Sequence, residues 1–124
     1  MIQILAIAAG GAIGSVLRYA VSTGVYSMFG RNFPYGTLAV NVAGSFLMGF
    51  LFVLMVERLD MSGMWRMVIL VGFLGAFTTF STFSIETVNL LQGGDYVRAL
   101  LNVTISVAFC LVATWVGFRL GRLI

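Results

Sequence analysis

Apolar residues run almost without interruption through four stretches of the chain, about 2–28, 35–56, 67–91 and 96–120, parted by short polar segments. Each stretch meets or exceeds the roughly 20 residues that carry a helix across a bilayer's hydrocarbon core. The pattern predicts an all-α integral membrane protein, with one transmembrane domain over residues 1–124 and four spanning helices. Gly30-Arg31-Asn32-Phe33-Pro34 joins the first pair, and Pro34 stands where it costs no helical hydrogen bond. Glu57-Arg58-Leu59-Asp60 through Trp65-Arg66 joins the second pair, and Gln92-Gly93-Gly94-Asp95 joins the last. The two glycines are suited to end one helix, and the aspartate to cap the next. None of these connections is long enough for a domain outside the membrane. The first stretch has no basic leader, and its Gly10, Gly11 and Gly14 suit a packed helix better than a cleaved signal peptide.

Composition supports the same reading. Hydrophobic residues make up 60% of the chain and charged residues 9%, whereas a soluble domain carries about a quarter charged. The net charge of +3 comes from seven arginines and four carboxylates, with no lysine or histidine. The arginines stand singly near segment ends, where they can snorkel to headgroups, so they do not form a nucleic-acid surface. Cys110 is the one cysteine, which excludes an intramolecular disulfide and suggests no thiol metal site. Without histidine, a carboxylate cluster, a Ser-His-Asp set or a phosphate loop, hydrolytic chemistry has almost nothing to work with. No catalytic residue is expected, and the chain does not read as an enzyme.

With four spans the termini share one side. That side carries Arg58, Arg66, Arg119 and Arg122 against Arg31 and Arg98 opposite, with Arg18 between. So feeble a bias suits either an ordinary inside-inside protein or one that inserts both ways and pairs with an inverted copy. Small residues recur at helix-contact spacing: Gly10 with Gly14, Ala39 with Ala43 and Gly44, Gly72 with Ala76, Gly117 with Gly121. They favour close backbone approach without naming a partner.

Polar side chains at membrane depth are the candidates for function. In the third stretch Gly72 and Gly75 precede the hydroxyl residues Thr78, Thr79, Ser81, Thr82 and Ser84. That is a poor continuous helix, and a third helix broken near the midplane is expected over the alternative of a continuous one. The helix can break near the midplane and free carbonyls for a cation, water or polar side chains. Alternatively it can continue, with each hydroxyl bonded to its own i−4 carbonyl. Phe77, Phe80 and Phe83 make a stripe if it continues, and their positive ring edges can face an anion without trapping it. Asn102, Ser106, Cys110 and Thr114 follow at i+4 steps on the fourth stretch, either as polar glue between helices or as a track leading to an anion site. Asn41 is the most isolated polar residue, able to donate to an anion or to bond a neighbouring helix, and Thr37 lies one turn earlier. Arg18 can snorkel, pair with Glu86, or line an aqueous vestibule that draws anions inward. The donors and hydroxyls favour conduction or binding of a small ion. A proton-coupled drug or cation exporter needs a carboxylate deep in a helix, which the first stretch lacks and Glu86 is too near a helix end to supply. A scaffold subunit explains the small-residue faces but not the hydroxyls and phenylalanines gathered in one segment.

Gly75-Ala76-Phe77-Thr78-Thr79-Phe80-Ser81-Thr82-Phe83 resembles the third-helix signature of the bacterial fluoride channels, the CrcB or Fluc family. Gly10–Tyr19 resembles the first-helix motif of that family and Gly36–Phe46 its second, so the resemblance covers essentially all 124 residues. It implies an antiparallel, dual-topology homodimer in the bacterial inner membrane, with two narrow pores that pass fluoride passively, reject chloride and lower cytoplasmic fluoride. On that pattern Phe80 and Phe83 face the permeating ion and Asn41 is a pore-lining donor. Ser106 and Thr114 continue the track, with Cys110 as a weaker donor where a hydroxyl is expected. Gly75 and Thr78 offer backbone carbonyls to a structural sodium ion on the dimer axis, and Arg18 sits by the vestibule. Fluoride, membrane lipid and a second copy of the chain are the implied partners, with no nucleic acid.

Overall fold

The computed structural model describes all 124 residues, and every regular element in it is helical. Helix α1 spans Ile2–Phe29, α2 spans Tyr35–Arg58, and α5 spans Tyr96–Leu123. Between them Gly63–Gln92 crosses as two pieces, α3 (63–77) and α4 (Phe80–Gln92). These helices run a few residues past the apolar stretches. Charged side chains lie near their ends and pair with one another. Arg122 bonds both carboxylate oxygens of Glu57 at 3.1 Å, and Arg66 meets Asp60 at 2.8 Å. Asp95 caps α5 by accepting from the Arg98 amide at 3.1 Å, as its place after Gly93-Gly94 predicts.

Packing is by pairs. Helix α1 lies along α3, and α2 along α5. Both contacts are made by glycines at which backbones nearly touch: a Cβ on Gly10 would strike the Val68 carbonyl, and one on Gly117 would strike that of Phe46. The Ala39–Ala43 pair does not serve this purpose. It lines an outward apolar groove with Val25, Phe29, Leu38 and Phe109. Two segments, Val53–Arg58 and Met67–Leu74, are wound wider, with i→i+5 hydrogen bonding. Only 21 of 124 residues are buried within the chain, because the rest of its surface is made for lipid or for another protein. The innermost positions are Leu74, Val40, Val53 and the polar Asn102.

Candidate functional site

The third span is broken at Thr78–Thr79, halfway along its length. Thr78 turns to ψ 158° and Thr79 lies at φ −150°, ψ 115°, both extended, before Phe80 restarts the helix. A continuous helix would pass the Thr79 amide to the Gly75 carbonyl and the Thr82 amide to that of Thr78. Instead, the Thr79 amide donates to Asn41 Oδ1 at 2.7 Å, and the Thr82 amide to Thr79 Oγ1 at 3.1 Å. Asn41 Nδ2 also donates to the Thr79 carbonyl at 2.9 Å. One carboxamide from α2 therefore satisfies both backbone groups of the extended residue, as a neighbouring strand would. Gly44, one turn further along α2, makes room: a Cβ there would meet the Thr78 methyl and the Phe77 ring. Other hydroxyls of this span do bond their own helix. Thr78 Oγ1 donates to Leu74 O, Ser84 Oγ to Phe80 O and Thr87 Oγ1 to Phe83 O. They relieve the helix locally without keeping it whole.

The break also divides the phenylalanine stripe. Phe77 is buried and stacks on Phe73 at 5.9 Å, whereas Phe80 and Phe83 pair with each other at 5.2 Å on the far side. Phe80 is 75% exposed and Phe83 only 8%.

A groove of about 390 Å³ lies between α2, α4 and α5, with the break at its floor. Asn41, Phe80, Phe83, Ser106, Cys110 and Thr114 all line it, although they come from three helices. Thr78 and Thr79 join them, together with Gly44, Ser45 and Met48 of α2, which sequence reasoning passed over. Those three follow Asn41 at i+3, i+4 and i+7, so the helical period from Asn41 held the signal. No carboxylate lines the groove. Its polar groups are amide, hydroxyl and thiol, beside the aromatic rings of Phe80 and Phe83.

Arg18 lines a second cavity of about 150 Å³ with Ser22, Thr37, Thr79 and Thr82, so Thr79 forms part of both walls. Arg18 makes no ion pair. Glu86 is engaged by Tyr26 instead, whose hydroxyl donates to Glu86 Oε2 at 2.6 Å and lies 3.4 Å from Thr37 Oγ1. Arg31 lies over the Tyr26 ring at 4.5 Å. Nothing in the spacing of Tyr26 pointed to this contact. It joins residues 60 positions apart.

No cluster of histidine, cysteine, aspartate or glutamate is built to hold a metal. At the break the Gly75 and Thr78 carbonyls lose their usual helical donors, the Thr79 and Thr82 amides, which bond elsewhere. Neutral carbonyl oxygens of this kind suit a hard cation such as sodium.

Residues 5–118 match the family described as CrcB-like protein, Camphor Resistance (CrcB). A protein of Magnetococcus marinus named fluoride-specific ion channel FluC is 54% identical over 122 residues, covering 98% of this chain and 99% of that one. One of the same name from Geobacter sulfurreducens is 52% identical over 122 residues, 98% of each. A third, from Methylococcus capsulatus, is 54% identical over 121 residues, and this chain spans 53% of its length.

Proposed function

The chain belongs to the CrcB family, and from that membership we propose that it is a fluoride-selective passive channel whose pathway follows the groove between α2, α4 and α5. It is a multi-pass membrane protein, and the proposed setting is the bacterial inner membrane, where it lowers cytoplasmic fluoride.

The observation that carries this reading is the gathering of Asn41, Phe80, Phe83, Ser106, Cys110 and Thr114 on one carboxylate-free strip through the hydrocarbon. Fluoride is small and strongly hydrated, so each water it sheds must be replaced by a donor or a positive ring edge. A full positive charge at the same place would hold the ion instead of releasing it. Arg18 is set back in the adjoining cavity, where its field concentrates anions without blocking the strip.

One chain supplies only part of such a pathway. The groove opens sideways past the exposed Phe80 ring, and polar groups facing lipid there would be costly. A second copy, inverted in the membrane, supplies the missing wall, and the weak arginine bias permits both orientations. The Gly75 and Thr78 carbonyls would hold sodium where two such chains meet. A bound sodium supplies a fixed positive field that offsets the dehydration of fluoride.

Liposomes loaded with fluoride, their potential clamped by a potassium ionophore, should empty through the purified protein, while chloride-loaded vesicles stay full. Equal release of both ions overturns selectivity, and absence of fluoride release from monodisperse protein overturns the channel reading. Light scattering in detergent tests the assembly, with two copies expected in sodium and a shift toward one copy when N-methylglucamine replaces it. A single copy in sodium counts against the dimer. An unchanged dimer without sodium counts against the cation site. A terminal cysteine labelled from one side only in intact cells counts against the inverted pairing.

A further inference from the structure

We propose that Ser45 is a fluoride-coordinating donor in this pathway, working with the remaining amide hydrogen of Asn41. The inference rests on the groove being the pathway and follows from counting which donors there are free.

Five hydroxyl residues line the groove, and each hydroxyl has one hydrogen to give. Thr78 gives its hydrogen to the Leu74 carbonyl at 3.1 Å and Thr114 to that of Cys110 at 2.9 Å. Thr79 gives its hydrogen to Thr82 Oγ1 at 3.0 Å while accepting from the Thr82 amide. Ser106 lies 3.3 Å from Asn102 Oδ1, and the polarity of that contact is forced by its neighbours. The Phe83 carbonyl can only accept, so Thr87 Oγ1, at 2.8 Å, must donate to it. Thr87 Oγ1 then accepts from Asn102, also at 2.8 Å, which places Nδ2 on that side. Asn102 Oδ1 faces Ser106, and Ser106 must donate to it. Asn102 is 1% exposed and is not part of the groove lining. Ser106 thus has no hydrogen left to offer the groove.

Ser45 is the exception. Its hydroxyl lines the groove and is absent from every hydrogen bond in the structure, including the i−4 bond that Ser84, Thr87 and Thr114 make within their helices. It follows Asn41 by four residues, which puts both on one face of α2. Asn41 spends one amide hydrogen on the Thr79 carbonyl and keeps the other. Two uncommitted neutral donors one turn apart, in the groove that Phe80 and Phe83 also line, are suited to replace lost water around a small, hard anion. They are poorly matched to a larger anion with diffuse charge.

The test is fluoride efflux from liposomes, together with the fluoride concentration that half-saturates conductance. Ser45→Ala should slow efflux about tenfold and raise the half-saturating concentration, with assembly unchanged. Ser27→Ala, which removes an exposed hydroxyl near the end of α1, should change neither. If Ser45→Ala does not yield monodisperse protein, Ser45→Cys keeps the shape with a weaker donor and should give an intermediate rate. Efflux at the unmutated rate in either variant overturns the role of Ser45. If Phe80→Ile is impaired in the same assay, the pathway survives that result. If Phe80→Ile also conducts normally, the pathway assignment falls with it.

Discussion

Asn41→Asp should reduce fluoride efflux by about 100-fold or more, the largest functional loss expected from one substitution in the groove. Asparagine both accepts from the Thr79 amide and donates to the Thr79 carbonyl. Ionised aspartate can only accept, so that carbonyl loses its partner at membrane depth. A buried acceptor left unpaired costs about 1–3 kcal/mol. The new negative charge also stands in the path of the permeating anion, and like charges at low dielectric repel strongly. A penalty of about 2.7 kcal/mol already corresponds to 100-fold, and either effect could approach that alone. Neutral Asn41→Leu removes the clamp and the donor without adding charge, so it should conduct better than the aspartate variant and worse than the unmutated protein. Efflux by Asn41→Asp within threefold of normal would show that Asn41 neither holds the break nor meets the ion.

The second large effect falls on folding. Gly10→Val should prevent recovery of monodisperse protein, or lower its thermal midpoint sharply, whatever ion is present. The added Cβ would collide with the Val68 carbonyl and lie 3.0 Å from the Phe73 amide nitrogen and the Val68 carbonyl carbon. Overpacking typically costs about 1–3 kcal/mol when side chains can move aside. Here the obstacles are backbone atoms of a membrane-spanning segment, so relief requires separating α1 from α3. Gly24→Ala on the same helix meets nothing within 4 Å and should leave yield and midpoint unchanged. Normal yield and stability of Gly10→Val would mean that α1 and α3 are less closely packed than described.

These two residues show how much was legible beforehand. Gly10 was visible as one of a pair at helix-contact spacing, but its partner was not, because spacing gives a face and not what lies against it. Gly49 makes an equally close approach to the Thr114 carbonyl without belonging to any pair that the spacing singled out. Asn41 stood out as a polar group that a membrane helix must satisfy, with an anion and another helix as equal possibilities. The structure gives it a backbone partner on one amide hydrogen and leaves the other uncommitted. For the third span, glycines and clustered hydroxyls favoured a break, with back-bonding of each hydroxyl as the alternative. Thr78, Ser84 and Thr87 follow that second pattern in the pieces on either side of a real break. Arg18 and Glu86 were natural partners by charge, yet Glu86 lies against Tyr26.

What the sequence determined by itself is the solvent and the class of chemistry. Four apolar stretches with 9% charged residues can only be satisfied by lipid, and an inventory without histidine or a carboxylate cluster leaves ion passage more plausible than bond making. Motif order then carried the family. Only the tertiary structure decided which polar groups share a surface, and which of their hydrogens are already committed. Each hydrogen bond at the break joins atoms on different helices or redirects a helical one. Its formation depends on glycine-mediated approach and on the absence of competing water. A linear string of residue types encodes the need for such partners, but not the distances at which they meet.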